Sequence, residues 1–223
     1  MSVCAQGIVL RFIKSIHIRR LNSIVSNMAN SESAEVPDGR RLRSERSRQA
    51  IIDASLALIE EGVLVPTAQQ ISERAGVGIR SFFRHFTDME NLFATADEQN
   101  RASTEALFIG GDRDGTTEER ILHAVERRAN GYENQKNIIL TTAAQSWRYE
   151  ILRKNYARYQ RGLRKDLNDW LPELKSVSPH RREMIDAAAS FEMWHRLRVH
   201  QGLSKKTSIE IIVEALTDLM NVS

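Results

Sequence analysis

Two glycines, Gly62 and Gly76, bracket a segment with room for one connection and about two turns of helix. Val63-Leu64-Val65-Pro66 is the connection. Thr67 then caps a helix, and Gln70 three residues later completes a capping box. That helix runs from Ala68 to about Ala75, where Gly76 breaks it, and a third short helix follows over about Gly78 to His85. Ahead of both lies a longer first helix, starting near Ser44 or Ser47. It carries Ile51, Ile52, Ser55, Leu58 and Ile59 on its apolar stripe and closes at Gly62. Two short helices joined by a glycine turn and packed on a longer one make a helix-turn-helix. Ile71 and Val77 point inward, Ser72 is small enough for close helix approach, and Gly76 supplies the positive φ of a sharp turn. The third helix is then the one suited to a DNA major groove, with Arg80, Ser81 and Arg84 on or near its exposed side.

The rest of the chain is helical in pattern, since no segment keeps the period-2 alternation a strand requires. Thr87 or Asp88 caps a fourth helix, with Glu90 near its positive end and Leu92 and Phe93 on its inner face. Gly110 to Gly115 is a loop and the cleanest internal break. Helical stretches are expected near 117–131, 134–155 and 156–169. Ser178-Pro179 opens a long helix to about His200, Gly202 ends it, and a last helix runs from about Lys205 to Asn221. The expected fold is all-α. An N-terminal three-helix helix-turn-helix head, residues 40–93, is joined to a larger helical ligand-binding and dimerisation bundle, residues 94–223.

Residues 1–39 read as a disordered or flexible extension. Residues 1–31 hold no acid, and Arg11 and Lys14 interrupt the one apolar run that a secretory signal would need. Residues 30–39 read as a linker, and Met28 is an alternative start. The single cysteine, Cys4, excludes an intramolecular disulfide framework and a Cys-rich zinc module. No run reaches the ~18–20 apolar residues that span a bilayer, so no membrane association is expected.

Net charge is only +3, but Arg40, Arg41, Arg43, Arg46 and Arg48 crowd into nine positions. Such a cluster neutralises phosphates; a charge run is also the ordinary pattern of a solvated face. Arg48, Ile51-Ile52-Asp53-Ala54, Gly62, Thr67, Ile71, Ala75-Gly76-Val77, Ser81-Phe82-Phe83-Arg84-His85-Phe86 and Met89-Glu90-Asn91-Leu92 follow in order. This set, within Ser47 to Phe93, resembles the TetR (tetracycline-repressor) family of bacterial transcription regulators, and its spacing from Gly62 through Leu92 fits without a gap.

The resemblance implies a cytoplasmic homodimer that reads a palindromic double-stranded DNA operator and is released by a small-molecule inducer whose identity the chain does not disclose. It implies a repressor, with Gly78 through His85 as recognition helix. Arg80, Ser81 and Arg84 are the candidates for base-edge or adjacent contacts. Arg41, Arg43, Arg48, Thr67, Phe83 and His85 are expected near phosphates or sugars, with Gly78 at the start of the helix. Three residues depart from the family pattern. Phe83 replaces a frequent tyrosine, Met89 stands where a lysine is usual, and Gly78 replaces a capping serine or threonine.

In the body, Met184, Ala188 and Phe191 form one stripe, with Ala187 and Trp194 as near neighbours. Ile209, Ile212, Val213, Leu216, Leu219 and Met220 form another. Two amphipathic helices per chain pair with their copies as a four-helix bundle, unless both stripes are buried within the subunit. Trp147, Tyr149, Tyr156, Phe191 and Trp194 either line a ligand cavity or fill the core. The basic stretch from Arg148 to Lys165 reads as a solvated face, since its charges alternate with Ile151, Leu152, Tyr156 and Leu163. His195 and His200 lack an acid or cysteine partner at metal-ligand spacing, and neither metal nor cofactor is expected. The rival readings are an activator, a ligand-blind DNA-binding protein, and a helical enzyme with a vestigial head. The enzyme lacks a Gly-rich phosphate loop, a nucleophile elbow and a zinc-protease helix.

Overall fold

The computed structural model describes residues 39–221, so the expected extension, residues 1–39, lies outside the described residues except for Gly39, which is helical. Nine α-helices and no strand occur among the described residues. They are α1 (Gly39–Glu60), α2 (Ala68–Ala75), α3 (Ile79–His85), α4 (Met89–Phe108), α5 (Thr117–Gln145), α6 (Glu150–Trp170), α7 (Pro179–Ala188), α8 (Phe191–His195) and α9 (Lys205–Asn221). A 3-10 turn at Pro172–Lys175 follows α6, and a π turn at Arg196–His200 follows α8. The residues from Glu45 onward form one compact unit; the helical residues 39–44 belong to a separate one.

Helix α1 begins at Gly39, not at Ser44 or Ser47. The run Arg40-Arg41-Leu42-Arg43 consists of good helix formers with no breaker after Gly39, so both serines sit inside the helix. At its other end the Gly62 N–H meets the Ile59 carbonyl and the Val63 N–H meets the Leu58 carbonyl, both at 2.9 Å. These paired bonds satisfy carbonyls that the helix leaves open. Ile51, Ile52, Ile71, Phe82, Phe86 and Leu92 are wholly buried and, with Ala54 and Ala96, make the core of the head.

Helix α4 is continuous across the expected domain boundary at residue 93. Asp88 caps it, accepting from the Asn91 N–H at 2.8 Å. Its Leu92 and Ala96 lie in the head core and its Phe108 in a second, larger core, with Val125, Tyr132, Trp170, Ile185, Trp194 and Leu216 among the residues of that cluster.

The body corrects two expected boundaries. Residues 117–145 form one helix, without the expected gap near 132–133. Gly131 lies mid-helix because a Cβ there would stand 2.4 Å from Phe108 Cε1; it serves close approach, not chain reversal. The break comes instead at Ser146 to Tyr149, and α6 then runs unbroken past the expected boundary near residue 155. The long helix expected over 179–200 breaks after Ala188. The Ser190 hydroxyl accepts from the Met193 N–H at 3.3 Å and starts α8. The Ala189 carbonyl is thereby left to side chains of α5, Arg128 and Tyr132, each at 3.0 Å.

Candidate nucleic-acid interface

The turn between α2 and α3 follows from a few local bonds. The Thr67 hydroxyl accepts from the Gln70 N–H at 3.2 Å, and the Thr67 N–H donates to Gln70 Oε1 at 2.9 Å, so two open donors of α2 are satisfied reciprocally. At the far end Gly76 adopts φ +67°. Its N–H meets the Glu73 carbonyl at 3.2 Å and the Val77 N–H meets that of Ser72 at 3.0 Å, the bond pair of a Schellman ending. Ser72 is buried, its hydroxyl folded back on the Ala68 carbonyl at 2.7 Å. That removes a polar group from the place where α2 packs on α3.

Helix α3 starts at Gly78 without a side-chain cap. Phe82 and the following Phe86 bury one side of it, with ring centroids 6.0 Å apart. Arg80, Phe83 and Arg84 are exposed, and Ser81 is half-buried. Arg84 donates to the Ser81 hydroxyl at 3.3 Å. Phe83 is 53% exposed and stacks edge-on to Phe82 at 5.2 Å. The face away from the head core thus carries two guanidinium groups and one aromatic ring.

The other DNA candidates differ in what holds them. Thr67 is exposed but its hydroxyl is engaged in the cap. Arg48 is half-buried: its guanidinium lies 5.1 Å over the Phe86 ring and donates to the Thr95 hydroxyl at 3.3 Å. It fastens α1 to α4, which its place in an arginine run does not reveal. His85 is half-buried with a buried, unpartnered Nε2. Burial, then the positive charges of Arg84 and Arg48, lower its pKa against the opposing pull of Glu45. Arg41 and Arg43 are exposed in the first turns of α1, Arg43 donating to the Gly39 carbonyl at 3.1 Å.

Of the body residues considered for a ligand, Phe191 and Trp194 are core, and Trp194 lines a small cavity. Tyr156 donates to Glu192, Tyr149 packs edge-on against Phe93 at 5.3 Å, and Trp147 is 79% exposed. The five do not converge on one cavity. Of the dimer candidates, Phe191, Ile212 and Leu216 are buried in the subunit's own core, whereas Met184 is exposed and Ala188, Ile209, Val213, Leu219 and Met220 are half-buried. The basic stretch on α6 is largely paired: Lys154 with Glu150, Arg158 with Asp97, Arg164 with Glu183 and Lys165 with Asp169.

The long-range partners of several side chains were not legible in the sequence. Asp97 of α4 accepts from Arg158 Nη2 at both carboxylate oxygens, each at 2.8 Å, and from the Tyr159 hydroxyl at 3.0 Å. Glu90 accepts from the Ile151 N–H at 2.8 Å, capping α6 from the head. Arg128 is buried inside the body. Its signal was present, because Ile121, Ala124, Val125, Arg128, Ala129 and Tyr132 share one helical face and only one of them is charged.

Residues 51–96 match the family model for bacterial regulatory proteins of the tetR family. Comparison with the curated proteins returns no match. Among solved structures, a transcriptional regulator from Rhodococcus sp. Rha1 is similar at TM-score 0.57 and 16% identity, covering 79% of this chain and 95% of its own. A Rhodococcus sp. protein assigned to the TetR-family transcriptional regulators matches at TM-score 0.55 and 17% identity, covering 78% and 99%. A Streptomyces coelicolor A3(2) protein assigned as a transcriptional regulator matches at TM-score 0.50 and 24% identity, covering 77% and 99%. These likenesses extend the shared fold over the body. With its capped α2 and its left-handed Gly76, the matched segment, residues 51–96, is an N-terminal domain of the tetR type.

Proposed function

We propose that the protein is a ligand-responsive, sequence-specific repressor. It binds a palindromic double-stranded DNA operator as a homodimer in the bacterial cytoplasm and leaves it when a small-molecule inducer enters the body. Residues 40–93 act as the head and residues 94–223 as the ligand-binding and dimerisation domain. One observation carries the reading: the Gly76 turn holds α3 by Phe82 on one side and leaves Arg80 and Arg84 exposed on the other. A guanidinium reaching guanine O6 and N7 is worth roughly 1–3 kcal/mol of discrimination. Arg41, Arg43, Thr67 and Phe83 then lie against the sugar-phosphate backbone, and His85 near it. Two heads reading half-sites about 34 Å apart require a dimer, which is consistent with apolar Met184 standing exposed on α7.

The test is selection of the full chain against random duplexes, followed by titration at two salt concentrations. A twofold-symmetric consensus is expected. Arg80→Ala should relax preference at one base pair per half-site, while Arg43→Ala should weaken all duplexes alike and reduce the salt slope by about one. No enrichment, or two variants indistinguishable from the parent, contradicts the reading. Release of the selected duplex by one compound of a small-molecule screen distinguishes a regulator from a ligand-blind DNA binder.

A further inference from the structure

The body contains a cation with no anion. Arg128 is 4% exposed, and among the described residues no carboxylate pairs with its guanidinium. Nη1 donates to the Ala189 carbonyl at 3.0 Å, Nη2 donates to the Leu163 carbonyl, and buried Nε has no partner. The nearby acids are engaged elsewhere: Glu192 accepts from Tyr156, and Asp186 faces Arg164 at 4.0 Å. A buried charge held by two neutral carbonyls and a tyrosine hydroxyl is costly to keep, and it attracts an anion. Beside it Tyr132, 3% exposed, donates its hydroxyl to the same Ala189 carbonyl at 3.0 Å. Burial pushes that hydroxyl up to about 12, so it stays a donor at neutral pH.

Both groups line a cavity of about 10 Å³, room for one water, whose remaining wall is largely apolar: Val125, Ala129, Trp194 and Ile212. The cavity abuts the break between α7 and α8, where Ala189 and Ser190 interrupt the helix. We propose that this is the effector site and that the effector is a small carboxylic acid with an apolar tail, its carboxylate taken by Arg128 and Tyr132. The inference rests on reading residues 94–223 as a ligand-binding body. The carboxylate replaces the Ala189 carbonyl as acceptor for both donors. The α7–α8 wall is thereby released and moves outward to admit the tail along Val125 and Ile212.

The test uses the full chain without DNA. Acetate, butyrate, hexanoate and benzoate are each titrated against their primary amides, with thermal midpoint and tryptophan fluorescence as readouts. At least one acid is expected to bind ten-fold or more tightly than its amide. Arg128→Met, which keeps the apolar stem, should abolish that preference while melting within a few degrees of the parent, and Arg128→Lys should retain part of it. An amide that binds as well as its acid overturns the assignment, as does an Arg128→Met protein that still prefers acids. No binding by any acid up to 10 mM, about the weakest affinity worth the name, overturns it as well. Should Arg128→Met fail to fold, the acid–amide comparison on the parent and on Arg128→Lys decides. Because no step involves DNA, acid binding without operator release would refute the repressor reading and leave this site standing, whereas operator release by uncharged compounds alone would do the reverse.

Discussion

His85 ends the helix that bears Arg80 and Arg84, and its Nε2 is buried without a partner. Burial is the first cause of its lowered pKa, followed by the charges of Arg84 and Arg48. A histidine lowered in the folded state binds its proton more readily when unfolded, so stability is complete above the ordinary value of about 6.5 and falls as pH drops below it. Urea midpoints of the parent are therefore expected to fall between pH 7.5 and pH 5.5 more steeply than those of His85→Gln. Equal slopes would refute this. At this scale the sequence was legible wherever partners are near in the chain. Thr67 with Gln70, and Gly76 with Ser72 and Glu73, make bonds within five residues. Arg48 was not legible, because its partners are Phe86 and Thr95, and neither was Arg128, whose carbonyl partners are 35 and 61 residues away.

Among the helices, the short ones of the head were read almost to the residue, since caps and glycines bound them. The long ones of the body were not. Nothing in the run from Thr117 to Gln145 stops a helix, and Gly131 resembles a breaker only until Phe108 is seen against it. The opposite error occurred after Pro179, where helix-forming residues continue through Ala187-Ala188-Ala189 and the interruption depends on α5 supplying donors for a carbonyl. Gly131→Ala would place a methyl within 2.4–2.7 Å of the Phe108 ring. Overpacking of this kind costs roughly 1–3 kcal/mol, offset by up to about 1 kcal/mol of helix propensity. A net loss of about 1–2 kcal/mol is expected in denaturant melts, and a stabilised variant would show that the α4–α5 contact is looser than described. Gly162→Ala, where a Cβ meets nothing within 4 Å, is the control and should not destabilise.

For the whole molecule, the proposed homodimer turns on how much of the apolar stripes the subunit keeps for itself. Phe191, Ile212 and Leu216 are buried inside it, so the residues left to meet a partner are Met184, Ala188, Ile209, Val213, Leu219 and Met220. That division was invisible in the sequence, where buried and half-buried positions of α9 follow the same period. Met184 is 55% exposed, so Met184→Glu should leave the subunit's melting temperature nearly unchanged. Across a twofold axis it would introduce two carboxylates at once and weaken dimerisation on the order of a hundredfold. Sedimentation equilibrium reads this directly, and a parent that is monomeric at micromolar concentration would remove the need for such an interface.

Helix α4 passes from the head core at Leu92 and Ala96 to the body core at Phe108 without a hinge, and Asp97, clasped by Arg158 and Tyr159, secures it midway. A rod embedded at both ends has no slack. A displacement of α6 would therefore pull on α4 at Asp97, between the two cores that hold its ends.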